Sequence, residues 1–63
     1  MFDQKVYNDA LSSIAGESDA TIAKYLRKAE YVQSTGEWEN EDTWDLAVNL
    51  YWKDTKNEEF LYK

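Results

Sequence analysis

The chain has 63 residues, 13 acidic against 7 basic, giving a formal charge of −6 and a pI near 4.4. So short a chain makes one domain at most, residues 1–63, and buries only about 60% of the surface that its unfolded form exposes. It has no cysteine and no histidine, which excludes disulfides, thiolate metal sites, zinc-binding imidazoles and histidine base catalysis, and leaves a second subunit as the usual staple.

Proline is absent, and Gly16 and Gly36, the two glycines, punctuate the chain into three parts of helical periodicity. The expected fold is all-α: a small three-helix bundle or open helical corner, with room for a short extra C-terminal helix. The first helix is expected over about residues 3–15, where Phe2, Val6, Ala10 and Ile14 recur at a spacing of four beside Tyr7 and Leu11. Asp3 suits its dipole, and Gly16 fits a left-handed C-terminal cap.

The second helix opens at Ser18-Asp19, either of which can cap it, and runs to about Ser34. Ile22, Tyr25, Leu26, Ala29 and Val32 form its apolar face, with Lys24, Arg27, Lys28 and Tyr31 opposite. The third helix is expected over about residues 43–54, capped by Asn40, Asp42 or Thr43. Trp44, Ala47, Val48 and Tyr51 share one face, while Leu46 and Leu50 sit roughly 100–150° away and Trp52 lies on the other flank. A helix apolar around so much of its circumference has more to bury than one face. Thr55-Lys56-Asn57-Glu58 has a capping-box pattern that restarts a short helix through Phe60-Leu61-Tyr62; one continuous helix to the C-terminus is the alternative.

Between the second and third helices the charge is concentrated. Glu30, Glu37, Glu39, Glu41, Asp42 and Asp45 fall in a stretch that has no Lys or Arg and also holds Trp38 and Trp44. Glu41, Asp42 and Asp45 are accounted for by the dipole of the third helix, which each stabilises by about 0.3–1 kcal/mol; Glu30, Glu37 and Glu39 are not. The segment therefore reads either as solvated surface or as an anionic patch in which Glu37, Glu39, Glu41, Asp42 and Asp45 meet a basic partner and Trp38 gives an apolar anchor. It is not a calcium loop. Counted from Glu37, position six is Asp42 and position twelve is Val48, where an EF-hand needs Gly and Glu.

The stretch Leu11-Ser12-Ser13-Ile14-Ala15-Gly16-Glu17-Ser18-Asp19-Ala20-Thr21-Ile22-Ala23-Lys24-Tyr25-Leu26 resembles a helix-turn-helix, with Ala-Gly at the turn and apolar residues six and nine positions after the glycine. The resemblance covers about a quarter of the chain, and Glu17 departs from it where a buried apolar residue is usual. It implies that Ser18, Thr21, Lys24, Arg27 and Lys28 face DNA while Ile22 and Tyr25 face the core. A charge of −6 opposes attraction to phosphate backbones and anionic lipid. The polarity is nonetheless marked, since residues 24–28 carry +3 and residues 29–63 carry −6. Such a basic face is a solvated helix surface, or it pairs with an acidic patch on a second copy.

Aromatic residues make up 16% of the chain, more than a three-helix core readily encloses, and exposed aromatics favour interfaces. Leu46, Leu50 and Trp52 are the expected self-association surface of a homodimer. No catalytic constellation is present: there is no Ser/His/Asp set, Cys nucleophile or Gly-rich phosphate loop, and a cleft that raises a carboxylate pKa is rare in so small a helical protein. Neither enzymatic activity nor a cofactor is expected. Met1-Phe2-Asp3-Gln4-Lys5 lacks the basic region and apolar run of a signal peptide, and no apolar run approaches the ~20 residues of a membrane span, so a soluble cytoplasmic protein is expected. The chain resembles, in size and charge and not in motif, the small acidic helical proteins of phages and mobile elements that block host restriction or CRISPR systems. The expected function is a non-enzymatic inhibitor that occupies a basic or nucleic-acid-handling surface of a partner protein; the alternative is a small DNA-binding regulator using residues 18–28.

Overall fold

The computed structural model describes residues 3–61. Three helices account for most of it: α1 (Gln4–Ile14), α2 (Asp19–Ser34) and α3 (Thr43–Lys56). Among the described residues there is no strand, and no helix is long and apolar enough to cross a membrane. The radius of gyration is 10.8 Å, close to the ~10.6 Å of a compact globular chain of this length.

Each helix starts where its capping chemistry lies. Asp3 accepts from the Lys5 and Val6 N–H groups, Ser18 from Thr21 N–H, and Asp42 from Trp44 and Asp45 N–H; such caps stabilise a helix by about 1 kcal/mol each. The stop of α1 differs from expectation. Gly16 does not cap α1 in a left-handed conformation, because Ala15 ends that helix at φ −61° and the corner turns through right-handed backbone. The glycine that is left-handed is Gly36, at φ 93°. Ser34 and Thr35 close α2 by turning their hydroxyls back onto the carbonyls of Tyr31 and Val32.

α3 is the central element. Both α1 and α2 pack against it and scarcely touch each other. Leu46, Ala47, Val48 and Asn49 are all buried, and four consecutive positions at 100° steps span the helix circumference. Two expectations fail here for one reason. α3 neither continues to the C-terminus nor restarts, because Asn57 takes a left-handed conformation, φ 60°, and its N–H closes on Lys53 O at 2.8 Å. Residues 58–61 are not helical and fold back onto the core, where Phe60 and Leu61 are buried. Asn49 Oδ1 accepts from the N–H groups of Phe60 (2.9 Å) and Leu61 (3.2 Å), and Asp3 N–H donates to Phe60 O at 3.2 Å. Tyr7 meets Phe60 edge-on at 5.0 Å.

The apolar residues that the sequence left bare lie in the core. Leu46 and Trp52 are buried within the single chain and Leu50 is half-buried against the same core. They form no exposed self-association surface, which corrects that expectation. Phe2 and Tyr62, counted above in an apolar stripe and a terminal helix, lie outside the described residues.

Candidate functional site

The acidic segment becomes a structured loop, residues 35–42, between α2 and α3. Gln33, near the end of α2, organises it. Its Nε2 donates to the carbonyls of Trp38 (3.1 Å) and Glu41 (2.7 Å), while its Oε1 accepts from Thr43 Oγ1 at 2.7 Å. Glu41 N–H closes a turn onto Trp38 O at 3.1 Å. Trp38 itself is left-handed, φ 55°, a conformation that costs a non-glycine residue roughly 1–2 kcal/mol. The Gln33 clamp and the packing of Trp38 against the core hold it there. Trp38 is therefore half-buried, and only part of its indole is available to a partner.

The carboxylates divide into two sets. Asp42 is spent on the α3 cap, and Asp45 Oδ1 accepts from Tyr7 OH at 2.7 Å. Glu37 and Glu39 are exposed, and Glu41 is half-buried at the base of the loop. Two ion pairs lie outside the loop, Lys28–Asp54 and Lys53–Glu59, both 3.2 Å. The outward acidic surface is thus narrower than the sequence suggested. It centres on Glu37, Glu39 and Glu41, while Asp42 and Asp45 serve structure at its edge.

The same device recurs across the molecule: an aromatic side chain donates a hydrogen bond from its O–H or N–H to a carboxylate elsewhere in the chain. Tyr25 OH donates to Asp54 at 3.0 Å, Tyr51 OH to Glu17 at 2.8 Å and Trp52 Nε1 to Glu58 at 3.3 Å. Tyr7 is pushed up to about 12, by its hydrogen bond to Asp45 first and then by burial and the nearby charges of Asp45 and Asp42. Tyr25 and Tyr51 are raised by burial first, then by their carboxylate acceptors. Burial pushes Asp54 upward, but hydrogen bonds from Lys28 and Tyr25 outweigh it and leave the carboxyl below its ordinary value. Glu17 thus has a role that explains its departure from a buried apolar residue: it receives Tyr51.

The residues of the helix-turn-helix resemblance separate. Tyr25 is buried and Ile22 half-buried, facing the core as that resemblance implied. Ser18 Oγ is occupied with Thr21, at 3.3 Å to its N–H and 3.1 Å to its hydroxyl, and Lys28 with Asp54. Lys24 and Arg27 are exposed. α1 and α2 do not pack on one another as a two-helix reading unit; each leans on α3.

Among the described residues no group of three or more acidic side chains is placed to hold a metal ion. Sequence reasoning missed Gln33 and Asn49, the two carboxamides that position the irregular segments. Each left a signal: Asn49 interrupts the apolar run Leu46-Ala47-Val48-Asn49-Leu50-Tyr51-Trp52, and Gln33 borders the apolar face of α2 beside Val32. Compared with known proteins, the chain matches no family model, no curated protein and no solved structure.

Proposed function

We propose that this chain is a non-enzymatic binding protein whose 35–42 loop occupies a basic, nucleic-acid-handling surface of a partner protein. Glu37, Glu39 and Glu41 stand in for phosphates, and the exposed part of Trp38 adds an apolar contact. The observation that carries the reading is the shape of the loop. Gln33 pins two of its carbonyls, and a tryptophan is kept in a costly backbone conformation at its centre. A loop that serves only as solvated surface has no need of such fixing, whereas a preformed loop binds without losing entropy on ordering. The form of this role that fits the chain's size and charge is an inhibitor of the kind phages and mobile elements direct at host defence proteins.

The test is displacement. The chain is titrated into complexes of labelled duplex DNA with a panel of basic DNA-binding proteins, and DNA release is followed by fluorescence anisotropy. The wild type releases DNA from at least one of them; Glu37→Lys, Glu39→Lys and Glu41→Lys combined does not, with far-UV helicity unchanged. Equal displacement by the triple variant contradicts the proposal.

A further inference from the structure

Outside the loop, one face of the molecule carries an organised set of exposed residues. Lys24, Arg27 and Tyr31 follow an i, i+3, i+7 row along α2, with Lys28 on the adjoining row, and all four are exposed. Tyr31 is 70% exposed and is the one exposed large hydrophobic side chain among the described residues. Lys28 leans to Asp54 and Lys24 lies over the Tyr25 ring at 5.4 Å. The Arg27 side chain has no ion pair or hydrogen bond among the described residues. The face is a cationic stripe with an aromatic ring at its end.

Phosphate backbone is a poor match for it. Electrostatic binding to DNA grows with the number of phosphates that Lys and Arg neutralise, whereas this stripe has three cations, one of them paired with Asp54, on a chain of −6. A small acidic protein surface with an apolar element suits it better, and the chain itself carries one in Glu37, Trp38 and Glu39. Within one copy Lys28 is paired with Asp54, but the loop does not face the stripe. Gln33, which holds the loop, lies about 120–180° around the α2 axis from Lys24, Arg27 and Tyr31 at 100° per residue, so stripe and loop face different ways.

We propose that the α2 stripe docks on the acidic loop of a second copy of the chain. The contact joins two unlike surfaces, so copies either pair reciprocally or extend head to tail. It goes beyond the partner-binding reading of the loop: self-association covers the loop, and a partner with a denser basic surface displaces the second copy.

Sedimentation velocity on the purified chain tests this, from about 10 µM to about 1 mM and at roughly 20 mM and 300 mM salt. The wild type is expected to gain mass with concentration at low salt and to return to monomer at high salt. Two variants sharpen the result, Lys24→Glu with Arg27→Glu and Glu37→Lys with Glu39→Lys. Each alone is expected to stay monomeric, because stripe and loop then carry the same sign. Their equimolar mixture is expected to associate, and since both variants keep a net negative charge, only local pairing of stripe with loop brings them together. A wild type that is monomeric at the highest concentration in low salt overturns the proposal, as does a mixture that fails to associate. Salt-sensitive binding of labelled duplex DNA that is lost in the stripe variant assigns the stripe to nucleic acid and overturns it too. No arm contains a partner protein, so failure here leaves the displacement test of the loop intact.

Discussion

The two longer segments outside the helices are each held by one carboxamide, used in opposite senses. In the C-terminal tail, Asn49 turns its oxygen to two backbone N–H groups, those of Phe60 and Leu61. In the 35–42 loop, Gln33 turns its nitrogen to two backbone carbonyls, those of Trp38 and Glu41. Asn49 is buried at 2% exposure and the side chains it fixes complete the core. Gln33 is half-buried at the surface, and the loop it fixes presents Glu37 and Glu39 to solvent. The tail thus converts backbone hydrogen bonds into stability. The loop converts them into the shape of a charged surface.

Breaking the tail has the largest expected effect. Phe60→Ala removes a fully buried ring and should cost about 3–5 kcal/mol, against a total of about 3–9 kcal/mol for a chain of this length at ordinary stability per residue. Urea unfolding followed by tryptophan fluorescence measures it; a loss below about 1 kcal/mol would remove the tail from the core. Asn49→Leu keeps the apolar surroundings but strands the Phe60 and Leu61 N–H groups, at about 1–3 kcal/mol each if they remain buried. Hydrogen exchange at those two amides should accelerate before that of the α3 amides. Unchanged protection there would show that something other than Asn49 fastens the tail.

The tyrosine pairs give a pH arm. A tyrosine whose folded value lies above its unfolded value of about 10 holds a proton that the unfolded chain releases. The stability tied to Tyr7 is therefore intact below pH ~10 and is lost as pH rises toward the folded value of about 12. Tyr25 and Tyr51 act in the same direction, so alkaline unfolding should begin near pH ~10 and should be shallower in Tyr7→Phe. Asp54 acts at the other end: its lowered value contributes stability that is present above the ordinary carboxylate pKa and lost as pH falls through the folded one. Titration curves of wild type and Tyr7→Phe that coincide above pH ~10 would contradict the assignment.

Breaking the loop should cost least in stability. Gln33→Ala removes three hydrogen bonds at the surface, about 1–2 kcal/mol, and leaves helicity unchanged. It should nevertheless weaken displacement of DNA from a partner, because a loosened loop must be reordered on binding. If Gln33→Ala displaces as well as the wild type, the fixed shape of the loop has no bearing on its use.

The three helices were legible because caps, apolar spacing and breakers agree locally; Ser18 and Asp42 cap where such residues should. What periodicity could not convey was the path of the chain after Lys56. A run apolar on every side reads equally as a helix with a partner subunit and as a helix that its own tail will wrap. Asn49, polar within that run, was the residue that separated the two. In the loop, the acidic residues were legible as a list but not as a division of labour. Asp45 is claimed by Tyr7, 38 positions earlier, and no local pattern announces a pairing at that separation. Gly16 misled for a related reason: a glycine after an apolar stripe suggests a left-handed cap, but the corner before Ser18 closes through right-handed turns.

The most direct test of the central claim, that the acidic loop and not α2 is the surface that meets a foreign partner, is a two-arm NMR titration of the isotopically labelled chain. One arm adds an arginine-rich peptide and the other adds mixed-sequence duplex DNA, both at low salt. The account predicts that amides of residues 36–42 shift with the peptide and that no amide shifts with DNA. Shifts confined to residues 20–31 on adding DNA, with the loop still, would contradict it.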